Sequence, residues 1–141
     1  MPGRFHKSED GSVLVEFALI MPVLLLIIAG IIQFGFILNA KVAVNSASYE
    51  AARTATLSED PEVDAVNAVV NYAASSLSGW NINERLGVEV DLSGNDPGDI
   101  VRVNVSYNVP VFFSNIISGS GIESEFFKVI GTSTMQIEEK E

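Results

Sequence analysis

Four Asp and Asn residues crowd one stretch of nine, "DLSGNDPGD": Asp91, Asn95, Asp96 and Asp99. Hard oxygen ligands of this kind suit calcium, although their spacing is not that of an EF-hand loop. The same Asp, Asn, Gly and Pro content is what an ordinary tight turn requires, so both readings stand. A second chemical oddity is Glu16, an acid at the threshold of the apolar run "FALIMPVLLLIIAGIIQFGFIL". A carboxylate there needs a reason: either it sits in a helix's first turn and reaches headgroup water, or it has a cationic partner. Glu50 and Arg53, three residues apart, would be neighbours on a helix and could pair, for a few tenths of a kcal/mol.

Common catalytic arrangements are hard to assemble from the rest. His6 is the only histidine and precedes the apolar run, and there is no cysteine. A Ser/His/Asp set or histidine-ligated zinc after the run is therefore excluded, as is any disulfide framework. "GSGIES" has glycines but neither the lysine nor the setting of a phosphate loop. No enzymatic activity and no cofactor are expected.

These residues must be positioned by elements of two kinds. Phe17 to Leu38 carry no charge, and as a helix they would measure about 33 Å against a hydrocarbon layer of roughly 30 Å. One membrane crossing follows. Of 18 acids and 8 basic residues, only Glu9, Asp10, Glu16, Arg4 and Lys7 precede Leu38, leaving 15 acids against 6 basic residues beyond it. Nucleic acid is thus an unsuitable partner. Basic residues just before the span place the amino end in the cytoplasm and the acidic bulk outside the inner membrane.

Helical character continues past the span. "NAKVAVNSASYEAARTATL" has neither Pro nor Gly, and Ala43, Ala47, Ala51 and Ala55 recur at four-residue intervals. One rod from about 13 to 57 is expected, with a stripe of small side chains that lets another element approach its backbone. Asp60 then serves as N-cap and Pro61 as first residue of a second helix to Leu77, with Val63, Val66, Val70, Ala73 and Leu77 as its apolar face and Gly79 ending it. From Leu86 the period becomes two. Val88, Val90 and Leu92 form one strand, Val101 to Val109 the next, and about Phe126 to Ile137 a third whose alternation Gly131 breaks. Trp80 is expected to pack, and "VFF" from 111 to fill space between sheet and helix or to touch membrane or partner.

The fold class expected is α+β and pilin-like: a long N-terminal transmembrane helix running into a small head, with a second helix and a three-stranded antiparallel sheet. The division expected is 1–11 cytoplasmic leader, 12–57 transmembrane and stalk helix, and 58–141 extracytoplasmic head.

Within this frame "GSVLVEFALIMPVLLLIIAGIIQFGFILNAKVAVNSASYEAARTA", Gly11 to Ala55, resembles the N-terminal module of the TadE-like family, pseudopilins of tight-adherence (Flp) pilus systems. The "VEFAL" step, the apolar run and the "EAAR" continuation carry the likeness together. Pilin-like proteins are cleaved after a glycine by a membrane prepilin peptidase, with glutamate at the fifth mature position. The resemblance therefore implies cleavage between Gly11 and Ser12, with Glu16 as the fifth residue of the product. The new amine at Ser12 and Glu16 would be opposite charges one helical turn apart, or Glu16 would meet the amine of a neighbouring subunit and fix register. Ser12 is not the bulky apolar first residue common in major pilins, and the chain is much larger than the major tight-adherence pilin. A minor pseudopilin that initiates or assembles the pilus is implied, with other pilins, the prepilin peptidase, the assembly platform and the inner membrane as partners. An unprocessed membrane-anchored adhesin and a minor pseudopilin of type II secretion are the alternatives.

Overall fold

The computed structural model describes residues 9–77, 82–112 and 126–138. Its elements are α1 (Glu9–Leu57), α2 (Pro61–Ser76), the short α3 (Ile82–Arg85), β1 (Leu86–Leu92), β2 (Ile100–Pro110) and β3 (Phe126–Gln136). The fold is α+β. Two compact units divide the chain, Met1–Gly35 and Phe36–Glu141, and the division falls inside α1.

In the first unit α1 is apolar all round, and its large side chains from Val13 to Ile32 are exposed. It is the one helix among the described residues long and apolar enough to cross a membrane, with a mean hydropathy of 2.7 in its most apolar window. A helix without a polar face has no orientation to prefer in water and belongs in hydrocarbon. Single-pass anchoring is the consequence.

The second unit is a three-stranded antiparallel meander, β1-β2-β3, covered on one face by the rest of α1 and by α2. Val88 lies opposite Val105 and Val90 opposite Val103, while Arg102 is flanked by Asp91 and Thr134. This register puts Val101, Val103, Val105, Tyr107 and Val109 on the inner face, all fully buried. Each buried valine contributes roughly 1.5–3 kcal/mol. On the other face the alternation delivers polar residues, and Thr132 donates a 2.8 Å hydrogen bond to Asn104 Oδ1.

The four-residue alanine stripe of α1 meets the sheet as anticipated. Ala40, Ala43, Val44, Ala47, Ala51, Ala52 and Ala55 are buried in one core with the β2 valines. Ser48 and Thr56 lie on the same face, and each hydroxyl donates to a carbonyl three residues back, Asn45 O at 2.9 Å and Arg53 O at 2.8 Å. Gly131 explains the break in β3: a Cβ there would lie 2.5 Å from Val44 O and 2.7 Å from Asn45 N. Backbone meets backbone at this point, which only glycine allows. Lys41 Nζ donates to Ile130 O beside it. Phe36 and Phe112 pack with ring centroids 4.9 Å apart, and Phe112 stays half exposed.

Two expectations for α2 are corrected. Its buried stripe is Pro61, Ala65, Val69, Ala73 and Leu77, whereas Val63, Val66 and Val70 are exposed. Small side chains let α2 lie close to its neighbours, and proximity outweighs the larger transfer energy of the valine face. Asp60 stands at the N-cap position but its side chain makes no capping bond. Instead Ser58 Oγ accepts from Asp60 N at 3.0 Å and donates to Asp64 Oδ2. Gly79, Trp80 and residues 113–125 lie outside the described residues.

Tyr107 is the largest fully buried side chain. Burial pushes its phenol above the ordinary 10.0, and the Arg85 guanidinium of α3, by charge and hydrogen bonding, pulls it part of the way back. The folded state therefore holds this proton more tightly than the unfolded chain does. That stabilisation is complete below about pH 10 and is lost as pH rises through the raised value. Thermal melts of the detergent-solubilised chain at pH 9 and pH 11 should show a drop at the higher pH, and Tyr107→Phe should reduce it.

Candidate functional site

Gly11 and Ser12 lie in the first turn of α1, and both are exposed. A Cβ at Gly11 would meet nothing within 4 Å. The Gly11–Ser12 peptide bond is thus sterically open. Glu16 is exposed one turn further on, four residues from Ser12 and so about 6 Å along the axis on the same face. Immediately after it the helix surface turns wholly apolar.

Asp91, Asn95, Asp96 and Asp99 are brought to one end of the β1–β2 hairpin but serve different neighbours. Asp91 lies on β1 opposite Arg102. The Asp99 carboxylate is turned into the loop, where Oδ2 accepts from Asp96 N at 3.0 Å and Oδ1 from Ser93 Oγ at 3.4 Å. Ser93 Oγ in turn accepts from Ile100 N at 2.8 Å. Gly98 takes a φ of 101° and is tied to β3 by Gly98 N donating to Ile137 O and Gln136 Nε2 donating to Gly98 O. Among the described residues no group of three or more acidic or histidine side chains is placed to hold a metal. The turn reading accounts for every bond that Asp99 makes here.

Glu50 and Arg53 do not form an ion pair among the described residues. Thr54 Oγ1 donates to the Glu50 carbonyl at 2.9 Å, and Arg53 lines two shallow grooves, one with Tyr49, Thr56 and Ile137 and the other with Leu57, Ser58 and Asp64. Sequence reasoning gave this arginine no role beyond the pair. The signal available was its spacing from Tyr49 and Leu57, four residues on either side, which sets all three on one helix face.

The fold and these sites define a class: a single-pass membrane-anchored protein with an α+β unit built on the far half of its membrane helix. Residues 11–53 match the model of the family described as TadE-like protein, in agreement with the resemblance drawn from the "VEFAL" and "EAAR" segments. The chain thus carries a TadE-like domain that begins at Gly11, and the match points to a protein associated with the Tad pilus. Neither a curated protein nor a solved structure matches the chain.

Proposed function

We propose that this chain is a TadE-like minor pseudopilin that helps initiate or assemble a tight-adherence type IV pilus after a prepilin peptidase cuts between Gly11 and Ser12. The observation that carries the reading is the coincidence of three features within six residues. The family match starts at Gly11, the Gly11–Ser12 bond is open in the first helical turn, and Glu16 follows one turn later on the edge of the apolar surface. Cutting creates an ammonium group at Ser12. At about 4 Å from a carboxylate this is worth roughly 4 kcal/mol at an effective dielectric near 20, before desolvation is subtracted.

In this reading α1 anchors the precursor in the inner membrane and later packs among other pilins at the assembly platform, while the α+β unit stands on the extracytoplasmic side. The chain's own residues perform no catalysis. Intact-mass measurement of the membrane-extracted protein tests the reading. In cells with an active prepilin peptidase the product is expected to begin at Ser12. Molecules that still carry residues 1–11 there would overturn it and favour an unprocessed anchored protein.

A further inference from the structure

The second unit has two unlike ends. One is marked by Phe36, which lies in the uncharged run two residues before its last member, Leu38, and whose ring packs on Phe112. The approach of Gly131 to Val44 fixes the sheet against this helix. Lys41 donates to Ile130 O on one side of that contact, and Tyr49 and Thr56 share a groove with Met135 and Ile137 on the other, so β3 runs in the same direction as α1. Measured back from the contact, Phe36 lies about 12 Å away along α1 and Phe127 about 13 Å away along β3. The pairing of Phe127 with Val109, three residues before Phe112, agrees. Phe112 and Phe127 thus stand level with the last turn of the apolar run, and they are 49% and 50% exposed. Beside Phe127 on the outer face of the sheet, Lys128 is exposed opposite Asn108.

Charge is sorted along the same axis. Of the described cations, Lys41, Lys128 and Arg85 belong to the Phe36 end, Arg85 because it precedes Leu86, the partner of Tyr107. Glu84 is the one described acid among them. At the other end Glu59, Asp60, Glu62 and Asp64 gather about the α1–α2 connection, which shares a groove with the β1–β2 loop that carries Asp96 and Asp99. Counting Glu123 and Glu125, which precede β3 in the chain and lie outside the described residues, leaves the Phe36 end neutral and the other strongly acidic. A surface that holds anionic lipid therefore repels one end of the unit and tolerates the other.

We propose that the Phe36 end of this unit is seated in the surface of the membrane that α1 spans. Phe112 and Phe127 enter the top of the acyl chains, Lys41 and Lys128 reach lipid phosphates, and the acidic end is held away. Lipid is the occupant because the patch continues the lipid-facing surface of α1: Phe36 belongs to the apolar run and also carries the ring on which Phe112 packs. A half-exposed ring at that depth gains by leaving water, and a lysine lays its stem along the apolar layer while its ammonium group stays among the headgroups. The inference rests on anchoring by α1 and does not depend on cleavage after Gly11.

Fluorescence quenching in vesicles tests it. The full-length chain is placed in equal parts phosphatidylethanolamine and phosphatidylglycerol with bromine on the upper acyl carbons. Phe112→Trp, Phe127→Trp and Thr134→Trp are compared with the parent chain, whose Trp80 supplies the background. Thr134 is exposed and lies about 23 Å beyond Phe127 along β3. Bromine is expected to quench at 112 and 127 and not at 134, and aqueous iodide to do the reverse. Lys128→Gln, read through the Phe127→Trp probe, should lower the ratio of seated to lifted units about fivefold. Both ring positions keep an aromatic side chain, protease resistance checks each fold, and either probe alone decides if the other variant fails to fold. Iodide quenching alike at all three positions would overturn the proposal. So would shielding of 112 and 127 from both quenchers, which would put protein rather than lipid over the rings. Precursor and cleaved product should behave alike, so failure here leaves the pseudopilin reading standing, and an uncleaved chain that is seated counts against that reading alone.

Discussion

Gly131→Ala is expected to lower the melting temperature of the sheet-bearing unit by roughly 10–20 °C, or to leave it unfolded, although it adds one methyl group. The atoms that the new Cβ meets are the carbonyl and amide of the Val44–Asn45 peptide, at 2.5–2.7 Å, and neither can turn aside as a side chain would. Relief requires α1 to move off β3. That movement thins the contact of Ala40, Ala43, Val44 and Ala47 with the sheet and pulls Lys41 from Ile130 O. Overpacking ordinarily costs about 1–3 kcal/mol, and a site between two backbones belongs at the upper end. Gly87→Ala supplies the control, since its Cβ would meet only Ser106 Oγ at 2.6 Å, a side chain free to rotate. Pulse proteolysis of the solubilised chain across temperature measures both. Equal melting of the two variants would show that the helix and strand do not touch as described.

Glu16→Gln is the second substitution with a large expected effect, and it separates the two accounts of that carboxylate. The span from Phe17 to Leu38 is unchanged, so insertion should be normal. Cleavage after Gly11 should also proceed, giving a product that begins at Ser12. The ammonium group then lacks its counter-charge at the edge of the hydrocarbon. Pilus assembly in a pilus-forming host is expected to fall by tenfold or more, in line with a loss of more than about 1.4 kcal/mol at each subunit contact. Glu16→Asp keeps the charge on a shorter stem and should recover part of it. Assembly at the normal level with glutamine would leave only the helix-terminus account, in which the acid merely reaches headgroup water.

The elements whose burial is regular were legible in the sequence. Alternating valines defined β1 and β2, and the uncharged run with the alanine stripe defined α1, because in each the period of the side chains is the period of the surface they bury. The face of α2 was not. Valine outranks alanine on any transfer scale, yet the fold buries the Pro61, Ala65, Val69, Ala73 and Leu77 stripe, since what decides is how near the backbone can come. Gly131 stood out as a break in β3, but its partner 87 residues away could not be read from a one-dimensional pattern. The four-residue α3 is too short for periodicity to reveal, and it is the element that brings Arg85 to Tyr107. For the candidate site, the spacing of Gly11, Ser12 and Glu16 was legible because a helix converts it directly into position. The exposed arginine was not, because the sequence offered Glu50 as a partner that the fold does not use.

The contact of Val44 with Gly131 also sets an order of events during biogenesis. A ribosome makes the alanine stripe long before its seat on the third strand, so the helix must wait, its small residues uncovered, while some ninety more are synthesised. β1 and β2 can zip together in the interval, being sequence neighbours. Docking is therefore a checkpoint on translation as far as Gly131, and a chain cut short before it should remain an open target for membrane proteases however sound its first hundred residues are.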